Sequence, residues 1–440
     1  MKIIVVGANE YGINIISSLL KLRHEVVLIE KSTQYASFLV KNSGLTVING
    51  DARLLATLKE ADIKTADCVI SLTADDSSNI VISKIANCYF GVPSTIATMS
   101  ELDYTEPENF NVFSKNNFAI TNIIDVYNVL SDVILRTILS QGTKDIAYTE
   151  KVIVIRTVCK QKSILVNTPI SHVSSLLDFQ INILAIIRNN VLLNISQSDI
   201  ILDGDEVIFS VEENNLSRAL YAFGHQQYGC KNIVFVLENS CEYKIINTFL
   251  NKLHALQDYY ESNISVSFIN KNDVVFDDWN KFVSMLVNVD AVCIYTDDIC
   301  FNTTLACTVS SINKNIRVVS ISKNDIAMID NVFNECNYIH VNTSNIIKQS
   351  VLSNLNGVFK IIYELYNDAG YIIEVKVSED HQWIGATVKN FAYKFDIIPI
   401  AIKRSDDIQK IAEDNDILLI GDIVSIFVSQ KGLKRLLKML

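Results

Sequence analysis

The sequence predicts an α/β protein: two doubly wound parallel-sheet domains, each followed by a small α+β domain. Three observations carry this reading. Apolar runs alternate with helix-period stretches through the first 140 residues. The first run, KIIVVG, ends at Gly7 and meets a second glycine at Gly12. The chain also repeats itself, at offsets near 220 residues. DIILDGDEVIF from Asp199 returns as DILLIGDIVSIF from Asp416, and TADDSSN at 73–79 returns as TDDICFN at 296–302.

Taken in order, the first unit (1–140) reads as strand KIIVVG, helix INIISSLLKL, strands HEVVLIE and LTVING, helix LLATLKEADI, strand DCVISLT and a helix over 79–90. This βαβαβ pattern belongs to a parallel, Rossmann-like sheet. The second unit (145–222) shows short strands of mixed polarity and a DGD turn, as a small α+β domain would. The third (230–360) opens on VFVLENSCEYKIINTFLNKL, a counterpart of VVGANEYGINIISSLLKL. In the fourth (366–440), IIPIAIKRSD around Ile398 echoes INILAIIRNN around Ile183, each a strand ending in a basic residue and a polar turn.

Bulk properties narrow the function. The 440 residues are 49% hydrophobic and carry a net charge of −11, which disfavours nucleic acid and anionic membranes as partners. The basic tail KGLKRLLKML reads as a short amphipathic helix. The longest apolar stretches are interrupted, one by Asp125, Asp132 and Arg136, the other by Gly421 and Asp422, so no membrane insertion is expected. The chain enters its first strand without a charged leader, and the expectation is a cytoplasmic protein. Nine cysteines form no Cys-x-x-Cys pair, and the six histidines stand far apart, so no metal site is expected.

The candidate site lies at the first turn. In a dinucleotide-binding βαβ unit the first glycine makes the turn, the second admits the pyrophosphate, and the third lets helix pack on strand. Gly7 and Gly12 hold the first and third places, and Asn9 stands in the second. Asparagine tolerates positive φ and carries an amide able to donate to phosphate. A helix from about Glu10 would aim its free amides at the anion. Ala8, Glu10 and Tyr11 complete the segment expected to line the ligand. Glu30, 18 residues past Gly12, is placed to accept from the ribose hydroxyls of NAD and to repel the extra phosphate of NADP. Its alternative is a solvated strand-end carboxylate. Asp51, in the loop after the third strand, and Thr73 and Ala74, after the fourth, stand at further carboxyl ends. Asp75 and Asp76 read as caps of the next helix. In the third unit VLENSCEYK has no glycine and brings Glu238 and Glu242 to the phosphate path, so no nucleotide is expected there.

MKIIVVGANEYG, LIEKS, INGDARLLATLKEADIKTADCVISLTADDSSNIVIS and IATMSELDY resemble the RCK (KTN) family of potassium-uptake regulators, built from TrkA-N and TrkA-C domains. The likeness covers essentially the whole chain and is most specific over its first 105 residues. It implies a non-enzymatic regulatory subunit that binds NAD(H) or an adenine nucleotide (ATP or ADP) as effector. It implies a homo-oligomeric dimer or tetramer ring, peripheral on the inner face of the membrane, gating a potassium transporter subunit of the TrkH/TrkG kind. Two positions depart from the family. Thr98 stands where an arginine of the family commonly meets the phosphates, and Ser100 replaces a second frequent arginine. Loss of such a guanidinium weakens binding by ~1.5–3 kcal/mol, one to two decades of affinity. Thr98 is still counted with the site. The departures leave open a scaffold that binds no nucleotide. An NAD-dependent oxidoreductase would need an acid–base group, and neither His172 nor His381 stands in a convincing constellation. The moving part is expected at residues 141–145, between the first two units.

Overall fold

The apolar runs become strands and gather into four sheets. The computed structural model describes residues 1–34, 36–37, 45–101, 120–193, 195–225, 230–238, 240–260, 264–274, 286, 288–323, 338–355, 359–365, 370–379, 383–395, 397–404 and 409–436.

The first sheet holds β1 (Lys2–Val6), β2 (Glu25–Glu30), β3 (Thr46–Asn49), β4 (Cys68–Ser71), β5 (Ser94–Met99) and β6 (Asn122–Asp125), in the order β3-β2-β1-β4-β5-β6. Every pairing is parallel. Both faces are covered, which is why these strands are apolar almost throughout. On one face lie α1 (Glu10–Lys21) and α4 (Val126–Leu139); on the other, α2 (Leu55–Glu60) and α3 (Asp76–Lys84). Strand order reverses between β1 and β4, opening a crevice at their carboxyl ends.

The second sheet is antiparallel. It comprises β7 (Thr143–Thr149), β8 (Val152–Val158), β9 (Ile181–Arg188), β10 (Val191–Leu193) and β11 (Glu206–Glu212), with α5 (Ile170–Leu176) and α6 (Leu216–Ala222) beside them. The third sheet, parallel again, has β12 (Asn232–Leu237), β13 (Ser265–Asn270), β14 (Ala291–Tyr295), β15 (Arg317–Ser322) and β16 (Tyr338–Asn342), with α7 (Ser240–Tyr260), α8 (Ile299–Ile312) and α9 (Thr343–Ser353). The fourth has β17 (Phe359–Glu364), β18 (Tyr371–Lys376), β19 (Ile398–Lys403), β20 (Gln409–Ile411) and β21 (Ile423–Val428), with α10 (Val388–Phe395) and α11 (Gln430–Leu436).

The repeat in the sequence is a repeat in topology. The second sheet runs β7-β8-β11-β9-β10 and the fourth β17-β18-β21-β19-β20, strand for strand. The third reproduces the first without a counterpart of β3 among the described residues. The Gly-Asp echo has a physical cause. Gly204 (φ +82°) and Gly421 (φ +90°) make the turn, and Asp205 and Asp422 are each 2% exposed beneath it. Arg188 donates to both oxygens of Asp205, at 2.7 and 2.8 Å, while Leu202 N donates at 2.7 Å. Arg404 and Leu419 N hold Asp422 in the same way. The basic residue ending each echoed strand is therefore the partner of the buried aspartate.

The units pack in two pairs. Ile15, Leu19, Leu130 and Ile134 of the first share one core with Ile245, Phe249, Ile347 and Val351 of the third. Ser131 Oγ donates across this interface to Ile245 O at 2.8 Å. Val154 and Ile208 of the second sheet pack on Ile372, Ile400 and Phe427 of the fourth. Gln409 Oε1 fastens that pair by accepting from Lys151 N and Val152 N at 2.8 and 3.1 Å.

Residues 141–145, expected from sequence to be the moving part, meet the third unit through Arg317. Arg317, 1% exposed at the start of β15, donates to Thr137 O, Ser140 O and Thr143 O at 3.0, 3.2 and 2.8 Å. Gly142 has φ +94°, and a Cβ there would stand 2.5 Å from the ring of His225.

Candidate functional site

The site is built by the turn after β1. Gly7 has φ +96°, and a Cβ on it would stand 3.2 Å from the Leu72 carbonyl and Thr73 N. A Cβ on Gly12 would meet Gly7 O at 2.3 Å, so helix α1 lies against the turn only because residue 12 has no side chain. Asn9 departs from its expected role. Its backbone is extended (φ −65°, ψ 176°) rather than left-handed. Both ends of its amide are engaged: Oδ1 caps α1 by accepting from Gly12 N at 2.9 Å, and Nδ2 donates to Leu72 O at 2.6 Å. Asparagine suits this place because one side chain fulfils a capping and a cross-strand bond together.

Glu30 is no solvated strand end. Its carboxylate accepts from Ala8 N and from Ser32 N, both at 2.8 Å, and so ties the end of β2 to the turn. Asp51 receives the Arg53 guanidinium at 2.6 Å and the Lys31 ammonium at 3.4 Å. Bonds from the Arg53 side chain and backbone hold its carboxyl well below the usual range. Thr73 N and Oγ1 both donate to Asn79 Oδ1, at 2.9 and 2.7 Å. The Asn79 amide in turn donates to Thr73 O and Thr98 O, each at 3.0 Å. Asn79 is fully buried and joins the ends of β4 and β5, a role its helix-start position did not signal.

Gly7, Ala8, Asn9, Glu30, Asp51, Thr73 and Ala74 line one cavity of about 520 Å³, with Lys31, Arg53 and Ser78 beside them. Four expected residues lie outside that lining. Glu10 and Gly12 sit in the first turn of α1, and Gly12 has a purely steric part there. Tyr11 packs instead against the core shared with the third unit, and burial beside Glu10, Tyr127 and Asp297 raises its hydroxyl pKa. Thr98 is 5% exposed, its hydroxyl turned to Ser71 O at 3.4 Å. Of the two expected caps, Asp75 does accept from Ser78 N, at 3.1 Å. Asp76 instead accepts from Ser100 N and Glu101 N at the end of β5, both at 2.7 Å. Lys31 and Arg53 were missed by sequence reasoning. Their signal was adjacency to Glu30 and to Asp51.

The equivalent place in the third unit carries an ion triad. β12 and β13 repeat the register of β1 and β2, which sets Glu238 where Ala8 stands and Lys271 where Lys31 stands. Thr296 and Asn302 repeat the bonds of Thr73 and Asn79, which sets Asp298 where Asp75 stands. Lys271 Nζ bridges Glu238 at 2.9 Å and Asp298 at 3.2 Å. The side chain of Glu242 and the whole of His381 lie outside the described residues, as do residues 102–119 and 437–440. His172 opens α5, where its Nδ1 lies 3.4 Å from Ser171 Oγ. Among the described residues no three His, Cys, Asp or Glu gather to hold a metal ion, and no helix is long and apolar enough to cross a membrane.

Comparison with known proteins agrees with this geometry. Residues 3–110 match the family model of the TrkA-N domain, and residues 372–440 that of the TrkA-C domain. The Trk system potassium uptake protein TrkA of Azorhizobium caulinodans is 26% identical over 237 residues, 53% of this chain and 52% of that protein. Its namesake in Haemophilus influenzae is 24% identical over 271 residues, 58% and 59% of the two chains. The chain thus spans about half the length of the curated relatives it matches. Among solved structures, the GsuK RCK domain superposes with a TM-score of 0.58 at 12% identity, covering 99% of this chain and 94% of that one. The GsuK channel bound to NAD gives 0.57 at 12% identity, over 98% and 77%. Identity so low speaks for the fold alone, but the two domain models add sequence to it: the chain carries a TrkA-N domain over residues 3–110 and a TrkA-C domain over residues 372–440.

Proposed function

We propose that this chain is a regulatory subunit that binds an adenine nucleotide, NAD(H), ATP or ADP, as effector and thereby gates a membrane potassium transporter of the TrkH/TrkG kind. The observation that carries the proposal is the cavity at the β1/β4 switch point, where Gly7, Ala8 and Glu30 converge beside Thr73. A nucleotide suits these residues. Gly7 lines the cavity and Gly12 lets α1 close against the turn, and Glu30 is oriented by two backbone amides. Lys31 and Arg53 flank the cavity, both paired with Asp51.

The relatives named as Trk potassium uptake proteins support the transporter as partner, and the GsuK channel bound to NAD supports the ligand class. On this reading the four units are 1–140, 145–222, 230–360 and 366–440, the protein works as a homo-oligomeric dimer or tetramer ring, and it lies at the cytoplasmic face of the membrane. Gating is a shift of population between two ring conformations, one of which holds the nucleotide better. A hundredfold change in the open-to-closed ratio requires ~2.7 kcal/mol of differential binding, shared over the subunits. Calorimetric titration of the full chain with NADH, NAD, ATP and ADP tests the proposal. Binding that Glu30→Ala weakens by about tenfold is expected. Silence from all four ligands at millimolar concentration would overturn it.

A further inference from the structure

We infer that the fourth unit holds the chain against an anionic lipid surface through the joined face of α10 and α11. The net charge of −11 speaks against such a surface for the chain as a whole, so the distribution of charge decides. α10 (VKNFAYKF) and α11 (QKGLKRL) carry Lys389, Lys394, Lys431, Lys434 and Arg435 and no acid. The two helices are joined from inside, where Phe391, Leu433 and Leu436 share one core. Lys389, Lys394 and Arg435 lie exposed outside it. The helices in the same places of the second unit, α5 (ISHVSSL) and α6 (LSRALYA), hold one cation between them, Arg218, and Asp178 neutralises it. The basic face is therefore not part of the shared fold.

Apolar side chains stand beside these cations. Tyr393, one helical turn beyond Lys389 on the same side of α10, is 92% exposed. α10 starts from a two-stranded ribbon: Thr387 pairs with Ile417, Leu418 N donates to Ala386 O at 3.0 Å, and Val388 N donates to Asp416 O at 2.8 Å. Leu418 is buried under the ribbon, while Ile417, Leu419 and Ile420 are half-exposed. Ile420 stands where the echoed turn of the second unit has Asp203, so the fourth unit exchanges an acid for an apolar group at this edge. Asp414 comes within 3.7 Å of Lys389, an exposed pair of little strength. Cations that meet phosphates and apolar tips that reach the acyl boundary are what an anionic bilayer surface takes together. An acidic protein face answers to the cations and leaves those tips in water. The acidic remainder of the chain is repelled by the same lipid, which confines contact to this one face.

The inference is separate from the nucleotide reading, which titration tests by itself. The full chain is floated with vesicles of phosphatidylcholine alone and with about one quarter phosphatidylglycerol, at ~0.05 and ~0.5 M salt. Binding at least about tenfold tighter to the mixed vesicles is expected, together with its loss at the higher salt. Lys394→Glu with Arg435→Glu should weaken it about tenfold or more. Lys59→Glu with Lys64→Glu, an equal change of net charge at exposed sites in the first unit, should move it less than about twofold. Tyr393→Ser should weaken it about threefold at low salt. Melting curves verify that each variant is folded. Equal binding to both vesicles, no binding to either at low salt, or a loss in the first-unit control as large as in the helix variant would overturn the inference. An acidic protein in place of lipid, a second copy included, would appear as that absence of vesicle binding, with a sedimentation coefficient that the helix variant lowers.

Discussion

Lys271 Nζ lies 2.9 Å from Glu238 and 3.2 Å from Asp298, joining two loops that the first unit leaves apart around its cavity. The equivalent positions in the first unit are Lys31, Ala8 and Asp75. A glutamate in place of alanine gives the lysine a partner at the turn, beside Leu237 in place of Gly7 and Asn270 in place of Glu30, and sets an ion triad where the first unit has its cavity. The chain should therefore bind one nucleotide, not two. Calorimetric stoichiometry checks this, and a value near two would show that the triad yields to ligand. Lys271→Met should cost about 1 kcal/mol in urea unfolding, since it leaves two carboxylates facing each other without their shared cation.

Gly12 faces Gly7 O so closely that no side chain fits, the added Cβ falling at 2.3 Å. Gly12→Val should push α1 off the sheet, lower stability by about 2–3 kcal/mol and abolish nucleotide binding. Thermal melting with a parallel ADP titration separates the two effects. A variant that melts like the parent and still binds would show that strand and helix part without consequence.

Much of this was legible in the sequence, for reasons that differ by residue. The alternation of apolar and helix-period runs exposed the parallel sheets, because strands buried on both faces have no polar alternative. The repeat exposed the pairing of units, because a buried Asp205 or Asp422 forces both a glycine turn and an arginine upstream. Local roles were less legible. The sequence does not show that the Asn9 amide spans to Leu72, 63 residues away. Asp76 looks like a helix cap, and only folding brings Ser100 to it. At residues 141–145 the sequence does not show Arg317 arriving from the third unit. In each case the deciding partner is distant in the chain.

Asp205 and Asp422 should be equivalent under substitution. Each is 2% exposed and bonded by an arginine and a backbone amide, so Asp→Ala at either position strands a guanidinium and an N–H. The expected loss is about 3 kcal/mol apiece, read by urea unfolding. Replacing both should cost nearly the sum, since the two turns share no partner. A large cost at one site alone would mean that only one turn is needed to close its sheet.

His225 should contribute to the acid sensitivity of the fold. Burial, and then the charge of Lys160, lower its pKa to about 4 from an ordinary 6.5. The neutral ring keeps a proton on Nε2, which lies 2.8 Å from Val158 O. Between these two values the unfolded chain binds a proton that the folded chain refuses. Stability should hold above pH 6.5 and fall as pH drops through 4, by up to ~3 kcal/mol. Denaturant midpoints from pH 7 to 4 measure the slope, and His225→Phe should flatten it. A slope that survives the substitution would assign the effect to other groups.

Arg317 anchors the junction between the first two units from the third, and its removal tests whether that junction carries motion. Its guanidinium meets three backbone carbonyls at Thr137, Ser140 and Thr143 in a fully buried site. Arg317→Met leaves those oxygens buried without their donor, each costing about 1 kcal/mol or more, so a loss of about 3 kcal/mol is expected. Lysine recovers little of it, because a single ammonium cannot reproduce the planar fork that spans three acceptors. Hydrogen exchange gives the sharper reading. If the guanidinium is what holds the chain as it leaves α4 for β7, amides of residues 140–145 should exchange at least tenfold faster in the variant, while those of β1 stay protected. Unchanged exchange at 140–145 would mean that the Gly142–His225 contact alone fixes the junction, and that nucleotide binding must reach the second unit by another route.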